Sequence, residues 1–198
     1  LPEPVEAALD TLLGDASIDL VGFSFGSMVA AFIAAQFPAR VRRLVLCGAP
    51  ALGIRPAVPL VLKAWNHLPP GPEVDAIHLE NLRRLMVSRP DSVDALALAI
   101  QKLNLPRDRM RMRRISRTDI VAQTLPRIGC PVHGIWGEHD ALYTGVQEQI
   151  GPALASAPRF RGLTLIPGAG HWVQFEDAPA FDRALALALG DCAPSGMR

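Results

Sequence analysis

Lysine is almost absent: of the 20 basic residues only Lys63 and Lys102 are not arginine. Together with abundant alanine this reflects base composition, so no function is read from it. Cysteine is also scarce. Cys47, Cys130 and Cys192 are odd in number, widely spaced and without a C-x-x-C pair, which excludes a disulfide framework and a thiolate metal site and points to a reducing cytoplasm. No stretch approaches the roughly 20 uninterrupted apolar residues that a membrane-spanning helix needs, so a soluble protein without a membrane partner is expected. A charged segment followed by an apolar run is missing from the start, so no secretion signal is visible. The chain opens at Leu1 instead of Met, however, and a segment carrying such a signal can have preceded it. Net charge is only +1, which gives no global reason to expect nucleic acid or an anionic surface as partner. His67 and His78 lack ligand spacing to acids or thiols; no metal and no cofactor are called for.

What is there fits one well-buried core with an insertion, since 198 residues leave little room for a second independent domain. Val5, Ala8, Leu9, Leu12 and Leu13 recur at helical spacing and Gly14 follows, which predicts an amphipathic helix over 4–14. Ile18 to Phe23 reads as a short buried strand. Phe25 to Phe37, apolar nearly all round and ended by Pro38, reads as a packed helix, and Val41 to Cys47 as the next strand. From Ala49 to about Pro126 proline is frequent and helical stretches at 75–87 and 91–103 appear without a strand. Strand character returns at Val132 to Trp136 and Leu163 to Ile166, with helices expected over 145–155 and 179–189. The reading is an α/β chain with a parallel sheet and helices on both faces. Its core is 1–48 and 127–198, interrupted by a helical lid at 49–126.

Gly22-Phe23-Ser24-Phe25-Gly26 lies between a predicted strand and a predicted helix, the setting in which G-x-S-x-G carries meaning. A sharp strand-to-helix turn strains the serine backbone, and small residues on either side leave room for the neighbouring chain. The turn exposes the Ser24 hydroxyl, and the helix that follows aims its first amides at a reacting oxygen, with the backbone N–H of Phe25 as one oxyanion donor. Asp140 follows the strand end Ile135-Trp136-Gly137-Glu138-His139, and His171 follows Leu165-Ile166-Pro167-Gly168-Ala169-Gly170. Each has a bland reading, as a helix cap and as a loop residue. Their joint occurrence at strand ends, in the order Ser, Asp, His, favours nucleophile, acid and base.

These motifs resemble the α/β-hydrolase superfamily over essentially the whole chain. Within it, Gly170-His171-Trp172-Val173-Gln174-Phe175-Glu176 resembles the histidine loop of the carbon-carbon bond hydrolases that cleave meta-cleavage products of aromatic degradation. In Ser88-Arg89-Pro90-Asp91, Arg89 matches the position where those enzymes carry an arginine that binds a dienoate substrate; a solvated charge ahead of a lid helix is the alternative. One departure is Phe23, where those enzymes usually have Asn. Phe23 and Trp172 are the other candidate substrate contacts. Arg107, Arg109, Arg111, Arg113, Arg114 and Arg117 form a basic stretch that reads more readily as a solvated surface than as an anion-binding rim. The resemblance further implies strands before the serine turn and a His-Gly loop supplying a second oxyanion donor, which this chain lacks. One edge of the Ile18 to Phe23 strand is therefore expected to be unpaired, with self-association possible through it. Three readings stay open: a C-C bond hydrolase acting on a keto acid, a carboxylesterase or lactonase, and a noncatalytic binding protein on a hydrolase fold.

Overall fold

The computed structural model describes residues 2–108 and 113–190. Arg109, Arg111 and Cys192 lie outside the described residues, as do the side chains of Arg113 and Arg114.

Among the described residues four strands, β1 (Ile18–Phe23), β2 (Val41–Cys47), β3 (Val132–Gly137) and β4 (Phe160–Ile166), form one sheet in the order β1-β2-β3-β4. All three pairings are parallel. Helix α1 (Pro2–Leu13) precedes β1, and α2 (Phe25–Gln36) links β1 to β2. The long segment between β2 and β3 holds α3 (Pro72–Leu85), α4 (Ala95–Asn104), α5 (Ile120–Thr124) and several 3-10 turns, and its described residues contain no strand. Then α6 (Ile150–Leu154) precedes β4, and α7 (Val173–Glu176) and α8 (Ala178–Leu189) follow it.

The two faces of the sheet are buried separately. On one, Met28, Ala31, Ile33 and Ala34 of α2 and Ile150 and Leu154 of α6 pack against Leu44, Leu46, Val132 and Trp136. On the other, Ala184 and Ala188 of α8 pack against Val45, Cys47, Ile135 and Ile166. A continuous apolar run is what a strand covered on both sides requires. Met28 and Ile33, both almost fully buried, each contribute about 1.5–3 kcal/mol of burial.

Three sequence expectations need correction. The strand ending in Phe23 is not a buried one, since Val21 is 41% exposed; as expected of its edge, β1 pairs with β2 alone among the described residues. The helix expected over 145–155 is confined to Ile150–Leu154, after a 3-10 turn at Gln147–Gln149. A longer helix would bring Pro152, which has no N–H, into its interior. Finally α4 begins at Ala95, because the Asp94 side chain accepts from Ala97 N at 2.8 Å. That is N-cap geometry, and it leaves Pro90–Ser92 as a separate turn.

Candidate active site

The turn after β1 holds Ser24 at φ 49°, ψ −120°, a backbone state that costs on the order of 1–3 kcal/mol outside glycine. Its surroundings over-determine it. Ser24 N donates to Cys47 O at 2.8 Å, and Ser24 O accepts from Ser27 N at 2.9 Å. The buried Ser27 hydroxyl donates to Gly22 O at 2.6 Å and accepts from Cys47 N at 3.2 Å.

The two glycines flanking Ser24 are not equivalent. A Cβ on Gly22 would lie 2.6 Å from Gly26 O and 2.7 Å from Ser27 Cα, whereas one on Gly26 would meet nothing within 4 Å among the described residues. Space at the turn therefore requires Gly22 alone, which corrects the expectation that both glycines do the same task. Phe25 opens α2, and the first amides of a helix have no intrahelical acceptor.

The loops after β3 and β4 bring the other two candidates to the same end of the sheet. His171 Nε2 lies 2.9 Å from Ser24 Oγ, and His171 Nδ1 lies 2.9 Å from Asp140 Oδ2. With Nδ1–H given to the carboxylate, Nε2 is the acceptor for the Ser24 hydroxyl. Asp140 is fully buried and His171 nearly so. The carboxylate also does what the bland reading expected, since Oδ1 accepts from Leu142 N at 2.9 Å and caps the turn Ala141–Tyr143.

Close backbone approach makes this meeting possible. A Cβ on Gly137 would fall 2.0 Å from Gly170 O, so the Asp140 and His171 loops touch main chain to main chain; His139 N donates to Ala169 O at 2.8 Å. The end of β2 supplies a residue that the sequence reading missed. Gly48, at φ 54°, sits against the imidazole, and a Cβ there would stand 3.0 Å from His171 Cε1 and Nδ1 and 3.3 Å from Asp140 Oδ2. A lone glycine after a strand carries no signal of this kind.

Neighbouring groups set the local polarity. The Phe23 ring is 5.0 Å from the His171 ring at 40°, so that wall is apolar. Burial pushes the Cys47 thiol up to about 12, which keeps it neutral beside the turn. The Tyr143 phenol is raised by burial and by Asp140; its hydroxyl donates to Ala49 O. The Trp172 ring stacks on Phe175 at 4.4 Å, and the backbone N–H of Trp172 donates to Met86 O at 2.6 Å.

Arg89 lies outside this line of contacts. Its backbone N–H donates to Glu176 Oε1 at 2.5 Å, its guanidinium donates to Glu176 O, and its Nε stands 3.7 Å from Glu176 Oε1 with the side chain 49% exposed. Glu176 closes the quoted histidine-loop motif, yet its position in the sequence revealed nothing of this role.

Comparison with known proteins follows the same lines. The 2-hydroxy-6-oxononadienedioate/2-hydroxy-6-oxononatrienedioate hydrolase of Paraburkholderia xenovorans (strain LB400) is 28% identical over 182 residues, which cover 84% of this chain and 60% of that protein. The chain thus spans about 60% of the length of the curated relatives it matches. A meta-cleavage product hydrolase from Pseudomonas fluorescens IP01 superposes with a TM-score of 0.66 at 18% identity, covering 94% of this chain and 69% of its own. A thermophilic esterase gives 0.65 at 22%, covering 96% and 71%; likeness at these identities concerns the fold. The alpha/beta hydrolase family model matches residues 2–184, and the chain belongs to that family.

Proposed function

We propose that Ser24, His171 and Asp140 are the nucleophile, general base and orienting acid of a serine hydrolase, with 49–126 as its lid. The observation that carries this reading is the unbroken line from Ser24 Oγ through the imidazole to Asp140, with 2.9 Å at each contact. His171 Nε2 takes the hydroxyl proton as Ser24 Oγ bonds to a substrate carbonyl carbon. The carbonyl oxygen becomes an oxyanion, which the N–H of Phe25 stabilises. Collapse of the tetrahedral intermediate breaks the bond to the leaving group, which takes the proton from His171. Water, deprotonated by the same imidazole, then attacks the acyl-enzyme and releases the acid.

The substrate class is a keto acid of the meta-cleavage type, cleaved at a carbon-carbon bond. The names of the curated relatives support it, as does the His171-Trp172-x-Gln174 loop. A carbon leaving group must be able to accept the proton, so the dienol is ketonised before attack. Arg89, with about half its side chain exposed, offers the substrate carboxylate the donors that Glu176 leaves over, and Trp172 and Phe23 flank the acyl group. One observation favours a second reading. The Phe23 ring lines the histidine where a polar group would assist ketonisation, and an ester, whose alkoxide leaves directly, has no such step.

Fluorophosphonate labelling of the purified chain tests the nucleophile: Ser24 is expected to be modified and Ser24→Ala inert. An unlabelled wild type would support a noncatalytic binding protein instead. Parallel assays with a chromogenic dienoate and a short aryl ester then separate the substrates, and turnover of the ester alone would reject carbon-carbon cleavage.

A further inference from the structure

Glu176 is a carboxylate with its side chain wholly buried, and such a group is costly unless every acceptor site is filled. Here donors converge on it from two separate parts of the fold. From the histidine loop, Gly170 N donates to Oε2 at 2.6 Å. From the segment between α3 and α4, Ser88 N donates at 2.9 and 3.0 Å, Arg89 N at 2.5 Å and Ser92 Oγ at 3.3 Å. The Arg89 guanidinium adds a cation at 3.7 Å.

The same two parts touch on either side of the imidazole. Trp172 N donates to Met86 O at 2.6 Å, and a Cβ on Gly170 would fall 2.6 Å from Ser88 N and 2.8 Å from Val87 C. The residues immediately before and after His171 are therefore both seated on 86–88, and Glu176 is the polar knot that holds the seat.

We propose that Glu176 is a positioning residue that couples the 49–126 insertion to His171, so that the imidazole reaches Ser24 only while the 86–92 segment is docked. This rests on the reading of His171 as the base. Displacement of that segment frees Gly170 and Trp172 together and lets the ring leave the 2.9 Å contact with Ser24 Oγ.

Glu176→Gln is the informative variant. Its shape is kept, but both carboxylate oxygens face N–H donors, so either amide orientation sets donor against donor. Well below the melting temperature, the rate of fluorophosphonate labelling is expected to fall by up to about 10²-fold, the effect of a misplacement of about 1 Å. The downfield proton resonance of His171 Nδ1–H should broaden or vanish in the same variant. Purely structural cement would lower the melting temperature and leave both readouts at their wild-type values, which would overturn the proposal.

If Glu176→Gln does not fold, the double variant Arg89→Ala/Ser92→Ala removes insertion-side donors only. The probe carries no carboxylate, so a slower labelling rate supports the coupling and an unchanged one overturns it. A wild-type chain that shows the downfield resonance yet does not label counts against Ser24 as nucleophile. In that case the resonance in Glu176→Gln still decides the coupling.

Discussion

The hydroxyl of Ser27 stands 3.0 Å from the carbonyl oxygen of Cys47 and accepts from the Cys47 N–H at 3.2 Å. One side chain from the first turn of α2 thereby fastens the end of β1 to the end of β2, and the strained serine between them keeps its position. Ser27→Ala should remove the hydroxyl's hydrogen bonds to the Gly22 and Cys47 carbonyls and to the Cys47 N–H, loosening the buried join between the two strand ends. A loss of about 1–3 kcal/mol in unfolding free energy is expected, measurable by urea denaturation, together with slower fluorophosphonate labelling.

Ser24→Ala and His171→Ala should each lower turnover by on the order of 10⁴- to 10⁶-fold with the fold retained, since triad members act as a unit. Steady-state kinetics beside circular dichroism checks this. A His171→Ala variant that keeps its turnover would remove the imidazole from the mechanism.

Gly22→Ala and Gly26→Ala should part company. At Gly22 the added methyl meets backbone at 2.6 Å and cannot be accommodated without moving α2. At Gly26 it enters open space among the described residues, and alanine gains about 1 kcal/mol over glycine in a helix. Thermal melts should show a large loss for the first and none for the second; a large loss at Gly26 would mean that another segment packs there.

Gly48→Ala combines a positive φ with a methyl 3.0 Å from the imidazole. The backbone term alone is about 1–2 kcal/mol, and kcat should fall more than KM rises, because the ring is pushed from the Ser24 to Asp140 line. Equal kcat in wild type and variant would show that the ring has room to spare.

Thiol chemistry gives a pH test. Burial raises Cys47 from its ordinary 9.0 to about 12, and burial first of all also raises Cys130. Both should resist alkylation at pH 8 in the native state, read site by site by mass spectrometry. The folded form holds the Cys47 proton more tightly than the unfolded one, so its stabilising contribution is complete below pH 9 and is lost as pH rises toward 12. Stability that increases across that interval would contradict the assignment.

Among the described residues β1 is an edge strand with no second strand partner, and its Val21 is 41% exposed. Self-association that rises with concentration is expected in size-exclusion chromatography, and Val21→Lys should reduce it, because an edge charge discourages strand pairing. A monomer at all concentrations would show that this edge is protected.

Much of this architecture is legible in the sequence. Strand ends followed by glycine-rich turns mark Ser24, Asp140 and His171, because short apolar runs and turn residues are local signals. Val41 to Cys47 matches β2 at both ends for the same reason. What stays hidden depends on contacts between remote segments. Gly48 is revealed only by the ring it touches, and Glu176 by the donors that reach it from Gly170 and from residues 88–92. Arg89 illustrates the same limit: its place before a lid helix is legible, but its engagement with Glu176 requires the folded chain. The unpaired β1 edge is expected from the family resemblance and not from the strand's apolar pattern, since apolarity measures burial capacity and not the number of partners.

The strands lie side by side in the order in which they are synthesised, and the three residues of the proposed site come from the ends of the first, third and fourth. A growing chain thus carries its alcohol long before its imidazole. On the proposed reading, Ser24 lacks the imidazole that would activate it until residue 171 has left the ribosome and found its seat beyond β4.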